Sequence, residues 1–410
     1  MKLKRRVVVT GIGVLSIAGM DKESFWQGII NGESSFSEIS GDFWGESFSG
    51  LYGILDKEKL REAEEKYLSP EERKFRRCCR LALTSAVMAL MDSGLDISAE
   101  YYSPAKTGIS IGTTHGELGV LEELVKEKGL VPYSELNSCT EHYDISAAVA
   151  RRIHASGDAV LHSDACASGN IAFSHAYEMI SSGRLDRVMA GGVDTDTMLS
   201  EGAFSCLRAV SPDKVRPFDK NRVGIILSAG AGMLMLESYE SAKSRGAHIY
   251  CEVIGQGQSN DAHSMATMDP DAKGIISAMD RAVHDAGIKA DDVDYICLHG
   301  TGTAANDACE MKAIKEYFGD HAKDIIASSI KGTLGHSLGA AAALELAACA
   351  LIMEKDLIPP NHNLEELDEN CVFKIPTEPM KAAPKIIMNS SYAFGGSNNC
   401  VILKRVREEG

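Results

Sequence analysis

The sequence predicts an α/β fold made of two similar halves. Strand-like apolar runs alternate with helix-like stretches along the whole chain, which is the pattern of β-α-β units. The 410 residues are 44% hydrophobic but only 6% aromatic, and 38 of them are glycines, a composition that suits tight strand-to-helix turns. The same order of predicted elements recurs in the second half, and such internal repetition decides the fold prediction.

The first half contains five runs with the β-branched or apolar composition of buried strands. They cover residues 6–13, 106–114, 159–166, 186–194 and 231–238. Helices are predicted over residues 25–34, over 70–94 with Gly94 as the stop signal, and from the Cys166 turn to about Ser182.

Five matching strands follow in the second half. They begin in the segments 248–260, 293–303, 324–329, 385–396 and 400–406, with helices predicted over 274–288 and over the apolar run 338–353. The first series of strands and helices ends and the second begins near "SYESAKSRGAH". We therefore divide the chain into one half at residues 1–245 and another at residues 246–410. We expect the two halves to pack face to face about a pseudo-twofold axis.

Composition narrows the class of protein. The formal net charge of −16 argues against nucleic acid as a partner, although the basic segments "KLKRR" and "RKFRRCCR" could dock an acidic one. The 11 cysteines show no C-x-x-C spacing, so we expect neither a disulfide framework nor a zinc site, and a reducing cytoplasm fits.

Two apolar stretches imitate membrane or targeting segments. "VVVTGIGVLSIAG" follows basic residues as a signal peptide does, but Thr10, Gly11 and Gly13 interrupt it, so we predict a buried first strand over secretion. "LGAAAALELAACALIM" is short for a bilayer span and contains Glu345, so we predict a buried helix and no membrane association.

The segment "HSDACASGN" places Cys166 where a strand passes into a helix. The free N–H groups of a helix N-terminus favour a thiolate, and the small neighbours allow a substrate to approach closely. The backbone N–H of Cys166 could also hold an oxyanion. The alternative is an inert buried cysteine, which is the usual role of a cysteine taken at random.

Two histidines end strands of the second half. His299 precedes "GTGT", and His336 opens a helix of small residues five positions after Lys331, where a helix N-terminus favours the neutral imidazole. Two neutral imidazoles can donate to one developing negative oxygen, which suits an enolate. We considered a metal site and a papain-like protease, but the spacing fits no common zinc pattern and a protease leaves the second histidine unexplained.

Four segments together resemble the β-ketoacyl-acyl carrier protein synthases, condensing enzymes of the thiolase superfamily. They are "DACASG", "HGTGTAANDACE", "KGTLGHSLGAAAALE" and "YAFGGSNN", and "VVVTGIGVLS" and "VRPFDKNRVGIILSAGAGMLMLE" add to the similarity over nearly the whole chain. The resemblance implies a thiolase-like, five-layered αβαβα fold of two duplicated halves, found as dimers in the family.

The resemblance also implies roles for individual residues. Cys166 is expected to accept an acyl group from acyl carrier protein, while His299 and His336 promote decarboxylation of malonyl carrier protein and stabilise the enolate. Lys331 is expected to support the His336 region, paired with an acid such as Glu345.

Further positions match the family's supporting and binding residues. Asp307 and Glu310 match an acidic network near His299, and Phe394 matches a gating phenylalanine whose backbone N–H is a second oxyanion donor. The hydroxyls expected to touch the phosphopantetheine arm are those of Thr301, Thr303 and Thr267. No cofactor or metal is implied, because the substrates travel on the phosphopantetheine of acyl carrier protein and loss of carbon dioxide drives the reaction.

The chain departs from the family at several points. His115 falls where relatives usually have an apolar residue lining the acyl tunnel, and an unpaired imidazole there disfavours a long saturated chain. Ser228 and Ala229 replace a Gly-acid pair, and "RRCCR" replaces a Met-Asp motif. We therefore predict a type II polyketide or specialised fatty-acid synthase elongating a polar or unsaturated chain.

Alternatives stay open. One is a housekeeping fatty-acid elongation synthase, and another is a ketosynthase subunit that needs a chain-length-factor-like partner in a heterodimer in place of a homodimer. A non-catalytic chain-length factor lacks the cysteine, and a thiolase needs a second active-site cysteine that only Cys400 could supply. The basic residues Lys74, Arg76 and Arg216 are possible contacts for the carrier protein.

Overall fold

The structure is a computed structural model that describes residues 4–43, 46–129 and 142–406. Its strands are β1 (Val7–Leu15), β2 (Ser37–Phe43), β3 (Glu46–Gly53), β4 (Thr107–Gly112), β5 (Ala159–His162), β6 (Arg187–Asp194), β7 (Leu227–Ser228), β8 (Gly230–Ser238), β9 (Cys251–Asn260), β10 (Tyr295–Cys297), β11 (Ile326–Ser328), β12 (Leu357–Ile358), β13 (Met380–Lys381), β14 (Ile386–Tyr392) and β15 (Ser397–Lys404).

The helices of the same residues alternate with these strands. They are α1 (Lys22–Asn31), α2 (Lys57–Tyr67), α3 (Arg77–Asp92), α4 (Leu118–Lys128), α5 (Tyr143–Arg152), α6 (Ser168–Ser181), α7 (Met198–Cys206), α8 (Tyr239–Ser244), α9 (Lys273–Ala286), α10 (Ala304–Phe318), α11 (Lys331–Leu334) and α12 (Ala341–Lys355).

Ten strands form one continuous sheet in the order β11-β10-β14-β15-β9-β1-β8-β6-β4-β5. Counted within each half, both sets of five follow the order third, second, fourth, fifth, first. In both sets the fifth strand, β8 or β15, runs antiparallel to its two neighbours, while the second strand is parallel to the third and fourth. The two sets join where β1 pairs antiparallel with β9, with Val7 opposite Val253. This topology agrees with the repeat predicted from the sequence.

Two inner helices separate the two sets of strands. Helix α6 contacts β4 and β6 of the first half and β15 of the second, and α12 contacts β8 as well as β14. Every residue of α12 from Ala341 to Met353 is buried, which explains why its sequence is apolar on all sides. The buried helix predicted there is confirmed. Of the helices in the described part of the chain, none is long and apolar enough to cross a membrane.

The outer layers differ in detail from the prediction. The helix predicted over 70–94 is shorter, because Phe75 and Arg76 are extended and α3 begins only at Arg77. The sequence reasoning also missed the β2–β3 hairpin, whose strand β3 pairs in parallel with the short β7. The two strands are polar and show no clear alternation of apolar and polar residues, so the hydrophobic pattern of the sequence did not predict them.

Equivalent turns precede the two inner helices. The turn Ala165–Ala167 leads into α6, and the turn Leu338–Ala340 leads into α12. Each begins with a residue in the left-handed region, Ala165 at φ 49° and Leu338 at φ 51°, a conformation that alanine and leucine adopt rarely because of their Cβ atoms. The turns are in contact, so both halves bring a strained strand-to-helix turn to the centre of the molecule.

Candidate active site

Cys166 lies in the middle of the first turn, just before the N-terminus of α6. It is 6% exposed, and Ser391 Oγ donates to its carbonyl oxygen at 3.2 Å. Burial raises the pKa of the thiol to about 12, and the nearby Lys331 ammonium only partly opposes this. We expected the helix N-terminus to favour a thiolate. The structure corrects this, because loss of solvation is the largest effect on the pKa of the thiol and the resting group is neutral.

His299 follows β10 and packs against the buried Lys331 at the start of α11. The Lys331 ammonium lies 2.6 Å from the His299 carbonyl oxygen and 3.4 Å from its Nδ1, and it forms an ion pair with Glu345. Burial, and then the Lys331 charge, lower the pKa of His299 well below its usual value, so the ring is neutral. The sequence predicted the pairing of Lys331 with Glu345, but the ammonium contacts His299 directly and influences His336 through its charge.

His336 faces His299 across the site. The ring centroids are 5.5 Å apart at an interplanar angle of 82°. Burial lowers the pKa of His336 well below its usual value, and its Nδ1 has no hydrogen-bonding partner within the described residues. The structure therefore brings together two neutral imidazoles, as the sequence predicted.

Two buried acids hold the backbone around His299. Glu310 accepts the N–H groups of His299 and Gly300, each at 2.9 Å, and Asp307 accepts that of Gly302 at 3.2 Å. Burial raises the pKa of Glu310 to about 8. Both acids lie on α10, and they fix the "HGTGT" loop instead of touching the imidazole. The predicted network near His299 is present in this form.

The turn after β14 forms one edge of the site. Phe394 is 37% exposed, and its ring stacks on Phe204 with centroids 5.6 Å apart. The turn 394–396 contacts the Cys166 turn, and Ala393 packs in the same apolar cluster as Cys166. Gly395 N donates to Met265 O at 2.9 Å, which joins this turn to the loop that carries the exposed Thr267.

Thr301 and Thr303 lie on the loop between His299 and α10. Their hydroxyls are 3.0 Å apart, and the Thr303 hydroxyl also caps α10 by accepting Asn306 N. Thr301 is buried. Part of the hydrogen-bonding capacity of Thr303 is therefore already used within the protein.

His115 has a partner that sequence reasoning missed. Its Nδ1 lies 3.1 Å from Oδ1 of Asp194, a fully buried carboxylate at the end of β6. The expectation against a long saturated chain assumed an unpaired imidazole, and the ring instead has a charged neighbour. Burial opposes protonation, but the Asp194 charge outweighs it and raises the pKa of His115, and the same pairing lowers the pKa of Asp194. Neither ring nitrogen of His115 makes a hydrogen bond of acceptable geometry within the described residues, so the approach of Nδ1 to Asp194 is an ion-pair contact that requires a protonated ring, and Nε2 is without a partner there.

Asp194 also ties together several parts of the site. Its carboxylate accepts Thr113 Oγ1 at 2.8 Å, Thr114 N at 2.9 Å and Gly339 N at 2.7 Å. Thr114 Oγ1 in turn donates to Ala165 O at 3.1 Å, next to Cys166. One acid thus links the His115 loop to the turn after His336. An acid that directly follows the buried strand "RVMAGGV" was the available signal, because ligand sites lie at strand ends.

Comparison with known proteins agrees with this geometry. The family model "Beta-ketoacyl synthase, N-terminal domain" matches residues 4–242, and "Beta-ketoacyl synthase, C-terminal domain" matches residues 250–365. The 3-oxoacyl-[acyl-carrier-protein] synthase 2 of Coxiella burnetii is 36% identical, and the alignment covers 98% of this chain and 99% of that protein.

Solved structures give the same answer for the fold. One match is a chain from the structure of a type II PKS acyl-carrier protein in complex with its ketosynthase bound to the hexaketide, with a TM-score of 0.89 and 32% identity. Another is the ishigamide ketosynthase/chain length factor, with a TM-score of 0.88 and 33% identity. Each match covers 98% of this chain and 100% of the other chain. The thiolase-like fold of two duplicated halves is thereby confirmed. Because both family domains match and a relative is similar over its full length, the chain belongs to the β-ketoacyl synthase family and is a condensing enzyme of the acyltransferase class.

Proposed function

We propose that the chain catalyses decarboxylative Claisen condensation of an acyl group held on Cys166 with malonyl-acyl carrier protein. The observation that carries the proposal is the contact of the Cys166 turn with the turn that follows His336, beside a pair of neutral imidazoles and a buried ammonium whose charge acts on the thiol. A covalent intermediate divides a difficult carbon–carbon bond formation into separate steps.

The first step is acyl transfer. The Cys166 sulfur attacks the thioester carbonyl of the acyl carrier protein, the tetrahedral intermediate expels the pantetheine sulfur, and the proton of the Cys166 thiol goes to that leaving group. The backbone N–H groups of Cys166 and Phe394 are the proposed donors to the oxyanion. The N-terminus of α6 stabilises negative charge as it develops on sulfur, although the resting thiol is neutral.

The second step removes carbon dioxide from the malonyl group. The electron pair of the broken carbon–carbon bond moves into the thioester carbonyl, and the resulting enolate oxygen accepts N–H hydrogen bonds from His299 and His336. The Lys331 ammonium can donate to Nδ1 of His299 only if that ring carries its proton on Nε2. That tautomer leaves Nε2–H free to donate to the enolate.

The third step forms the new bond. The enolate carbon attacks the acyl-Cys166 carbonyl, and collapse of the tetrahedral intermediate expels the Cys166 sulfur as a thiolate and releases a β-ketoacyl product on the carrier protein. The thiolate then takes up one proton from solvent, which restores the resting thiol. All electrons come from the broken carboxyl bond, so we propose that neither a cofactor nor a metal takes part. Thr301, Thr303 and Thr267 are the proposed contacts of the pantetheine arm.

For the pathway, we favour a type II polyketide or specialised fatty-acid system. His115 supports this choice, because the Asp194-paired ring leaves Nε2 to meet a polar group on the acyl chain. The similarity to 3-oxoacyl-[acyl-carrier-protein] synthase 2 favours fatty-acid elongation as the second candidate.

The partners we propose are acyl carrier protein and either a second copy of this chain or a chain-length-factor-like subunit. One structural relative is a ketosynthase in complex with an acyl-carrier protein, which supports the first of these partners. The other is a ketosynthase/chain length factor, which supports a chain-length-factor-like subunit. We also propose the division at 245/246, which the repeated strand order supports, and a cytoplasmic location.

Intact-protein mass spectrometry tests the function. The wild-type protein incubated with octanoyl-acyl carrier protein should gain one octanoyl group, and peptide mapping should place it on Cys166. The Cys166→Ala variant should neither gain the group nor condense, yet it should still decarboxylate malonyl-acyl carrier protein. Cys206, an exposed cysteine, provides the matched control Cys206→Ala, which should acylate normally. A stable acyl adduct on another cysteine refutes the assignment.

A further inference from the structure

Helix α3 begins without a cap of its own. Arg76 occupies the N-cap position in an extended conformation, φ −65° and ψ 162°, and its side chain makes no capping hydrogen bond. Asp, Asn, Ser or Thr at this position normally accepts one of the free N–H groups of the first turn. This is the "RRCCR" segment, whose departure from the family pattern the proposed reaction does not explain.

Glu117 supplies the missing acceptors from a different part of the chain. Its Oε1 accepts Cys79 N at 2.7 Å, and its Oε2 accepts Cys78 N at 3.1 Å. The side chain is buried at 3% exposure, and a carboxylate is well placed at the positive end of a helix. The acid stands only two residues after His115, so the cap of α3 and the pocket residue share one short loop.

That loop is fixed at both ends. On one side, Thr113 and Thr114 bind the Asp194 carboxylate. On the other side, Gly116 takes the left-handed conformation at φ 55°, and its N–H donates to Thr113 Oγ1 at 2.9 Å. The next residue, Glu117, then accepts the Cys79 N–H at the start of α3. The His115 backbone lies between these two anchors, so both of them set where its ring points.

We propose that Glu117 is a positioning residue for acyl-chain selection, which ties the His115 loop to helix α3 and thereby holds the His115 ring against Asp194. The inference rests on the proposed function, in which His115 meets the acyl chain. An acid at position 76 would cap the helix equally well but would leave the Glu117 end of the loop unattached to α3. Placing the acid on the loop couples the position of His115 to the rest of the first half.

Four proteins separate capping from positioning: wild type, Glu117→Ala, Arg76→Asp, and the double variant Glu117→Ala/Arg76→Asp. Arg76→Asp places an ordinary cap on α3 where the backbone already has the required conformation. Hydrogen exchange of the Cys78 and Cys79 amides reports the cap. The ratio of condensation rates with octanoyl- and hexadecanoyl-acyl carrier protein, at fixed malonyl-acyl carrier protein, reports the pocket.

In Glu117→Ala we expect faster exchange at Cys78 and Cys79 and a change in the rate ratio of about tenfold or more, the lower end of the discrimination that a pocket shows for one methylene. In the double variant the exchange should return to the wild-type rate while the ratio stays changed. Arg76→Asp alone should leave the ratio as it is in wild type, because both acyl chains travel on the same carrier protein and any loss of carrier-protein binding at position 76 lowers the two rates alike.

Two results overturn the proposal: an unchanged ratio in Glu117→Ala, or a double variant in which the ratio recovers together with the cap. If Glu117→Ala does not fold, the double variant carries the test. If that also fails, Glu117→Gln replaces it, because it keeps one acceptor oxygen and lacks the other; we expect faster exchange at one of the two amides and a changed ratio, and faster exchange with an unchanged ratio overturns the proposal. Failure of the proposed function looks different: wild-type Cys166 then stays unacylated by mass spectrometry, whatever the exchange rates show.

Discussion

The Nζ atom of Lys331 lies 2.6 Å from the carbonyl oxygen of His299 and 3.4 Å from its Nδ1. Both residues are buried, and Glu345 provides the counter-charge from α12. The ammonium thus sets the tautomer of His299 and adds positive charge close to where the enolate forms. It does so without touching the substrate, which makes Lys331 a positioning residue in the proposed reaction.

Replacing Lys331 with Met should slow decarboxylation of malonyl-acyl carrier protein by about 10²-fold, the scale found when one oxyanion donor is lost. Acylation of Cys166 should persist, because the hydrogen bonds of the Lys331 ammonium go to His299 and Glu345 and not to the Cys166 turn. The measurements are release of carbon dioxide and the mass of the acyl adduct. Decarboxylation at the wild-type rate would contradict this role for the ammonium.

The single variant leaves Glu345 buried without its partner, and breaking a buried pair costs about 3–5 kcal/mol of stability. The matched control is therefore Lys331→Met/Glu345→Met, which removes both charges. Its unfolding temperature should lie above that of the single variant, while its decarboxylation stays slow. Recovery of activity along with stability would show that Lys331 serves folding alone.

The low pKa values of the two imidazoles make a second prediction, about pH. Burial lowers the pKa of His299 and His336 well below 6.5. Both rings then stay neutral between pH 6 and 8, so the decarboxylation rate at saturating substrate should be nearly constant over that range. A loss of rate with an apparent pKa near 6.5 would show that one ring is protonated in the folded enzyme.

The same two shifts affect stability in a definite direction. Below about pH 6.5 the unfolded histidines bind protons that the folded ones do not, so the free energy of unfolding should fall as the pH is lowered through that value. Urea unfolding at pH 7.5 and pH 5.5 measures the slope. His299→Asn should flatten it, and His154→Asn, at a turn on the surface, is the matched control that should not.

The sequence predicted most of the fold and the central chemistry, because these depend on local patterns. Alternating strands and helices, repeated in order, predicted the two sets of five strands. Glycine-rich turns at strand ends predicted Cys166, His299 and His336. The protonation state of these groups could not be predicted as well. A thiolate is expected at Cys166 from the turn alone, but the thiol is neutral, because its burial depends on the whole fold.

Contacts between distant segments could not be read from the sequence. Asp194 and His115 are 79 residues apart, and Glu117 caps a helix whose first turn lies 38 and 39 residues away. Nothing in the "GTTHGELG" or "GGVD" segments alone shows that these groups meet. The family resemblance did not help either, because "RRCCR" and His115 are the places where this chain departs from it.

The close packing of the turn Leu338–Ala340 against Asp194 and Thr114 makes a third prediction. A Cβ on Gly339 would lie 2.7 Å from Oδ2 of Asp194 and 2.8 Å from Thr114 N, which is too close for either to remain in place. Gly339→Ala should therefore lower the unfolding temperature and slow acylation of Cys166. Gly202→Ala is the matched control, because a Cβ there meets nothing within 4 Å and alanine is the better helix former. Equal unfolding temperatures for the two variants would contradict the packing described here.

The pair of His115 and Asp194 makes the last prediction, which concerns both pH and substrate. The raised pKa of His115 gives a stabilisation that is complete below about 6.5 and is lost as the pH rises through the folded value. The lowered pKa of Asp194 gives a second stabilisation, which is present above about pH 3.8 and is lost as the pH falls through the folded value. Both contributions are therefore present between about pH 4 and 6.5.

In His115→Ile the pair is absent, so the difference in the free energy of unfolding from wild type should be larger at pH 5.5 than at pH 9. The variant should also favour longer saturated chains, because an apolar side chain replaces a polar one beside the Cys166 turn. Urea unfolding at the two pH values and condensation rates with octanoyl- and hexadecanoyl-acyl carrier protein test the two parts. A pH-independent difference would mean that His115 is neutral in the folded protein, and an unchanged rate ratio would remove His115 from the acyl pocket.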